Sequence, residues 1–347
     1  MGDLGRFSSY RATSRHRLMI VSAMTLVTVV LFFASICSGE MDYSISEVLR
    51  TLLHPDQVSA GMESIVWNTR LPQALTAILA GVALGMAGAE MQTILDNPLA
   101  EPYTLGVSMA AAFGASLVIA FGIGSTVLGG YASVAMAFVL AMVCCTAIYA
   151  VSRTRRSDRI TIVLTGVAML FLFQALVSLV QSLASRDAAN AITFWTFGSL
   201  GRTDWPDIAL VVVVVLLVSL FFVRNMWRLT SLKLGDGKAR SIGVDVVRLR
   251  RNTLVGVSVM TAVVVSFTGT IGFIGLVGPH IARMLVGEDQ RFFLPVSALS
   301  GALFLTAAHF FTRSFDFAMS VPIGIVTSLI GVPFFMYMIL KGRRTIS

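Results

Sequence analysis

The chain has 347 residues, 56% of them hydrophobic and 13% charged, with a mean hydropathy of +0.83. A soluble domain carries about 25% charged residues, so the composition excludes a soluble enzyme and leaves almost no room for a soluble appendage. The net charge of +8 would suit a nucleic-acid binder, but the basic residues sit in short connectors between apolar runs. There they read as an orientation signal and an anionic-lipid contact, with no nucleic acid.

A basic N-terminus (Arg6, Arg11, Arg15, Arg17) precedes the first apolar run, 18–36. That run is too long for a signal-peptide core and lacks a small-residue cleavage site, so it is predicted to be a retained span. A transmembrane helix needs about 20 apolar residues. Further spans are predicted at 71–94, 104–122, 128–151, 160–184, 207–223, 252–268, 271–286, 292–311 and 322–340. The fold class is therefore an all-α membrane protein of about ten spans, one domain over 1–347. Lys and Arg concentrate in 153–159, 224–251, 283–291 and 341–344, which predicts both termini on the cytoplasmic side. The cysteines, Cys37, Cys144 and Cys145, all fall in apolar runs and imply neither a disulfide framework nor a metal site.

Two stretches interrupt the apolar series. Residues 92–106 hold Gln92, Asn97, Pro98, Pro102 and Gly106; residues 269–283 hold Gly269, Gly272, Gly275, Gly278, Pro279, His280 and Arg283. Irregular backbone at membrane depth is tolerated only when buried in protein or facing water, and such paired breaks suggest a transporter. The glycines repeat every third position and predict a short or distorted helix ending at Pro279. Gly81, Gly85 and Ala89 repeat every fourth and predict a face for close helix packing.

The largest inside connector, 224–251, is predicted to hold one short helix at 236–242, with Asp236 near its start and Gly243 just past its end. It reads as a solvated connector or as a docking helix. Gly237-Lys238 is no phosphate loop: the motif needs Gly where Leu232 stands and Ser or Thr where Ala239 stands. Any ATPase must be a separate subunit.

Several motifs occur in one order over nearly the whole chain. They are Arg70-Leu71-Pro72; Gly85 to Gly106 with Asn97-Pro98-Leu99-Ala100; Trp195 to Leu200; Leu234 to Val244; Gly272 to Arg283; and Pro322 to Phe335. In these the chain resembles the FecCD-type permeases of ABC importers for iron-siderophore, haem and cobalamin. The resemblance implies a type II permease of ten helices, paired with a second copy or a paralogue about a central path. It implies two cytoplasmic ATP-binding subunits that carry ATP and Mg, no cofactor on this chain, and an extracytoplasmic substrate-binding protein. An iron-siderophore cargo is expected, with haem, cobalamin or a metal ion as alternatives, at the cytoplasmic membrane. The 234–244 segment resembles a coupling helix, with Gly235, Asp236, Ala239 and Gly243 its expected contact residues: Gly243 for the turn and Ala239 for close approach of the partner. Arg70 and Arg313 correspond to residues that dock the binding protein.

The sequence departs from the family pattern at Gln73, where a second Arg is common, at His309, where Asp is usual, and at Ser320, where Glu is usual. Glu90 stands where an apolar residue is typical. Glu90 and His309 are candidates for the path, together with Gln92, Asn97, Pro98, Gly275, Pro279 and His280; Glu90 is otherwise expected to be wet near the inner boundary. His280 is expected to make a structural hydrogen bond. A proton-coupled transporter using Glu90 and His309 is the reading from another class; an intramembrane enzyme lacks a constellation, since His16, His54, His280 and His309 are scattered.

Overall fold

The computed structural model describes residues 2–152, 159–315 and 321–342. The expected basic connector at 153–158, Ser320 and the basic tail at Arg343 and Arg344 lie outside the described residues. Among the described residues there are helices and turns and no strand.

The elements in chain order are α1 (Gly2–Cys37), α2 (Ile45–Leu53), α3 (Ala60–Ile65), α4 (Leu71–Leu95), α5 (Val107–Phe121), α6 (Ser125–Leu128), α7 (Ala132–Ser152) and α8 (Arg159–Leu183). Then follow α9 (Arg186–Thr196), α10 (Trp205–Leu232), α11 (Asp236–Ser241), α12 (Val246–Thr268), α13 (Ile274–Val286), α14 (Gln290–Ser314) and α15 (Ile323–Gly342). Seven helices are long and apolar enough to cross a bilayer, and α5, α13 and α15 are shorter apolar helices, which together match the ten predicted spans. A π turn, Val66–Arg70, joins α3 to α4 without a break in the helix.

The breaks explain the short helices. At about 1.5 Å per residue, the 15 residues of α5 and the 13 of α13 make about 20 Å each, less than the roughly 30 Å of a hydrocarbon core. Each is preceded by a non-helical stretch, 96–106 before α5 and 269–273 before α13. Contrary to the sequence expectation, α13 does not end at Pro279 but runs through it to Val286.

The core is α4, packed against α14, α13, α12 and α10. In a bilayer such contacts rest on close van der Waals fit, which small residues permit. A Cβ on Gly81 would lie 2.5 Å from the Gly301 carbonyl oxygen, and one on Gly85 would lie 2.4 Å from that of Ser297. A further close approach is at Gly88, where a Cβ would lie 2.0 Å from the Gly275 carbonyl oxygen, and Ala89, the third residue of the fourfold repeat, is fully buried. Around this core α1, α7, α8, α10 and α15 present apolar side chains outward, among them Leu26, Val143, Phe171, Leu216 and Met336.

One end of the bundle carries α2, α3 and α9 and is called the α9 end; the other carries α11 and is called the α11 end.

Candidate functional site

The two breaks predicted separately are in contact. Glu101, buried in the 96–106 stretch, accepts a hydrogen bond from the backbone N–H of Phe273, and a Cβ on Gly275 would come within 3.2 Å of it. Phe273 precedes α13 in the left-handed region at φ 69°, which costs a non-glycine residue about 1–2 kcal/mol. The carboxyl acceptor beneath its N–H and the packing of its ring on Gly331 of α15 hold it there. Glu101 escaped the sequence reading. The signal was present, since an acid stands between Pro98 and Pro102 in an otherwise apolar, turn-forming run.

The 96–106 stretch is built from local bonds. Asp96 ends α4 in the left-handed region at φ 48°, the Leu99 N–H donates to Asn97 Oδ1 at 2.9 Å, and the Thr104 N–H donates to the Glu101 carbonyl at 3.1 Å. Asn97 and Pro98 therefore turn the chain rather than line a cavity.

Gln92, Gly275 and Pro279 form one structural unit. Pro279 has no N–H, so the carbonyl four residues back, on Gly275, loses its helical donor. The Gln92 amide supplies one, with Nε2 donating to the Gly275 oxygen at 3.2 Å. Gln92 Oε1 in turn accepts from Arg283 Nη2 at 3.0 Å, and Arg283 Nε donates to Glu288 at 2.8 Å. Lys233 Nζ, just past α10, donates to the same Glu288 oxygen at 3.2 Å. This links α4, α13 and α10 at the α11 end. His280, expected to hydrogen bond, has no partner for Nδ1.

The docking segment is shorter than predicted. Helix α10 continues to Leu232 and α12 begins at Val246, so the 224–251 connector reduces to 233–245. Within it α11 covers Asp236–Ser241, and the chain turns at Gly243, whose φ of 86° suits glycine. Ala239, expected to meet a partner, is fully buried within this chain. Asp236 does not cap α11 with its side chain; its two oxygens accept from Arg250 Nη1 and Nη2, each at 2.7 Å. Arg250 Nε also donates to the Ile94 carbonyl at 3.0 Å. One guanidinium thus fastens α11 to the end of α4. The side chains that do point outward include Leu234, Lys238, Arg240 and Ile242, none of them among the expected contact residues. Two are large and apolar, which a solvated connector would not need.

At the α9 end a cavity of about 870 Å³ is bounded by Arg70, Arg202, Arg313, Gln73, Glu40 and His309, among others. Arg70 is 2% exposed, and its Nη1 donates to the carbonyls of Ile36 and Cys37 at the end of α1. It closes a helix end, so it is not a free docking arm. Arg313 Nε donates to the Ser38 carbonyl at 3.1 Å and Nη1 donates to Gln73 Oε1 at 3.0 Å, so Gln73 serves as the acceptor for Arg313. Arg202 Nη2 donates to the Phe194 carbonyl at 2.9 Å; burial lowers its pKa to about 10, which leaves it cationic at neutral pH. His309 is 4% exposed and its Nε2 has no partner.

A second cavity of about 510 Å³ lies next along the chain's packing, walled by Tyr103, Phe197, Thr270, Phe273, Leu329 and Val332, among others. The two are lined by chain neighbours, Gly198 and Ile323 in the first and Phe197 and Gly324 in the second, and the Gly324 N–H donates to the Phe197 carbonyl at 3.0 Å while the Thr270 hydroxyl donates to the Thr196 carbonyl. The lower cavity reaches the point where the two breaks meet.

Glu90 lines neither cavity. It is fully buried, its two oxygens have no partner, and it is not wet as the alternative expectation had it. His309 lies one turn below Arg313, which bonds Gln73 near the start of α4, whereas Glu90 lies near its end. At about 1.5 Å per residue the two are roughly 20 Å apart along the bundle, which removes the basis for a direct relay. Among the described residues no group of three or more His, Cys, Asp or Glu could hold a metal ion.

Residues 27–341 match the FecCD transport family. The hemin transport system permease of Yersinia pestis is 32% identical over 94% of this chain and 97% of its own length. The vitamin B12 import system permease of Citrobacter koseri is 33% identical over 94% of each chain. A solved inward-facing structure of a metal-chelate type ABC transporter superposes with a TM-score of 0.82 at 30% identity, covering 93% of this chain and 99% of that one. The chain belongs to the FecCD transport family: it is a multi-pass membrane permease subunit of an ABC importer, and the ATPase activity resides in separate subunits.

Proposed function

We propose that this permease carries an iron–siderophore chelate across the cytoplasmic membrane, with the α9 end outside and both termini inside. The observation that carries the reading is the pair of cavities, one at the α9 end and one beside the contact between Glu101 and Phe273. An extracytoplasmic binding protein would deliver cargo at the upper cavity. Two ATP-binding subunits, holding ATP and Mg, would seat on α11. A second permease, either another copy or a paralogue, would complete the path along α8 and α15, where Phe171, Leu179, Leu329 and Tyr337 are exposed. Haem, cobalamin and a metal ion are the competing cargoes; relatives 32%, 33% and 31% identical are named for hemin, vitamin B12 and molybdate.

ATP-dependent uptake into proteoliposomes that contain the permease, the ATPase and the binding protein decides between them. Accumulation of a ferric siderophore, with no accumulation of haem or cobalamin, is the expected result. Uptake of haem or cobalamin instead would overturn the cargo assignment.

A further inference from the structure

The α11 end of the bundle gathers arginines on its outer surface, where α1, α10 and α14 come together. We propose that this surface binds the phosphate headgroup of an anionic phospholipid, held by Arg17, Arg224, Arg228 and Arg291 around the rings of Trp227 and Phe292. The inference goes beyond the importer reading and holds whichever cargo is carried.

Three helices build the site. Arg17 of α1 stands over the Phe292 ring of α14 at 4.5 Å, and Arg291 stands 5.8 Å from the same ring. Arg291 is also 4.4 Å from the ring of Trp227 on α10. The ends of α10 and α14 are fastened together there, since the Gln290 N–H donates to the Thr230 hydroxyl at 3.2 Å. Arg224 and Arg228 are exposed, one turn apart, on the face of α10 that carries Trp227. A guanidinium stacked on an aromatic ring keeps its N–H edge open, and a phosphate accepts two such N–H groups at once. The acid beside them, Asp289, accepts from Arg291 Nε and Nη2, and its carboxylate also feels the charge of Arg17. Glu288 is taken up by Arg283 and Lys233. Four guanidinium groups against the Asp289 carboxylate leave the patch positive.

The surroundings of the patch identify the anion. Along α10 the exposed side chains include Leu216, Leu220 and Val223, and then Arg224, Trp227 and Arg228. On α1 the exposed Leu18 and Met19 directly follow Arg17, and the exposed Leu26 lies about two turns further on. Together the helices present an apolar surface, then aromatic rings, then guanidinium groups. That is the order in which a phospholipid presents its acyl chains, its glycerol and its phosphate. An acidic soluble protein would match the arginines but not the apolar surface one turn away. The other end of α10 has the opposite character, because it opens on Asp204-Trp205-Pro206-Asp207, with acids beside the ring where the α11 end has arginines. The site therefore belongs to one leaflet.

Trp227 is a built-in reporter, because its side chain is 64% exposed. Its emission is taken as the difference between the full-length permease and Trp227→Phe, each in phosphatidylcholine nanodiscs. Quenching by a small fraction of brominated phosphatidylglycerol is compared with quenching by the same fraction of brominated phosphatidylcholine. Phosphatidylglycerol should occupy the site with an apparent affinity at least about fivefold higher, the gain expected from a single arginine near an anionic headgroup. Arg17→Gln and Arg228→Gln should each reduce that preference severalfold. Arg240→Gln, exposed on α11, should leave it unchanged. Emission in phosphatidylcholine alone should be the same for these variants and the native chain, which reports an intact fold at the site.

Equal quenching of the native chain by the two lipids would overturn the proposal and leave the patch to an acidic protein surface. A preference that Arg240→Gln reduces as much as Arg17→Gln does would overturn it too, since diffuse surface charge would then suffice. Release of the lipid by millimolar inorganic phosphate, beyond the effect of chloride at matched ionic strength, would overturn the lipid assignment in favour of a soluble anion.

Discussion

At the scale of single residues, Gln92 shows why a polar side chain is placed in the middle of a packed core. Pro279 strips a donor from the Gly275 carbonyl, and the Gln92 amide restores it while its oxygen holds Arg283. Gln92→Leu leaves both groups unpaired and should lower stability by about 1–3 kcal/mol, read as a fall in Tm of the purified permease. Gln92→Glu keeps the contact to Arg283 but loses the donor, so it should fall between the two. Glu90 has no such assignment. Glu90→Gln should leave initial uptake within about twofold, because the carboxyl lines no cavity and bonds nothing. A loss of tenfold or more would return a proton-coupled step to consideration. Arg250 lies at the opposite extreme, with bonds to Asp236 and to Ile94. Arg250→Lys keeps the charge and loses the planar fork, so it should cut uptake about tenfold or more while ATP hydrolysis persists.

At the scale of elements, the spans were legible because about 20 apolar residues in a row leave few alternatives to a membrane helix. The short α11 was legible too, from Asp236 at its start and Gly243 just past its end. The ends of α10 and α13 were not. Helix α10 continues through the polar residues Arg224 to Ser231, which composition assigns to a connector, and α13 tolerates Pro279 only because a side chain from another helix repairs the lost bond. Contacts between distant elements have no trace in periodicity. The position of Glu101 beneath Phe273, the fastening of α11 by Arg250 and the burial of Ala239 all depend on tertiary packing. The packing faces can be tested at Gly88. A Cβ there would overlap the Gly275 backbone at 2.0 Å, and neither helix can yield without moving α14 as well. Gly88→Val should cost about 3 kcal/mol, the upper end of overpacking penalties, and appear as a large drop in Tm or failure to accumulate in the membrane. Gly237→Ala on α11, where a Cβ meets nothing within 4 Å, should have no such effect.

At the scale of the whole molecule, a rigid glycine-packed core of α4, α12, α13 and α14 stands between two working ends. The α9 end holds the charged cavity, and the α11 end holds a short helix wired to α4 by one arginine and, through Gln92 and Arg283, to α13. Motion of α11 would therefore reach the lower cavity by way of α13, whose first residues follow Phe273. The outward face of the 233–245 segment is proposed to seat an ATPase. It is tested by co-purifying the permease with the ATP-binding subunit from the same source, for the native chain and for Ile242→Asp, which changes a 63% exposed side chain and touches no span. The native chain should retain the ATPase and the variant, equally stable and equally abundant, should lose it. A variant that retains the ATPase in full would contradict the placement of the docking face on α11.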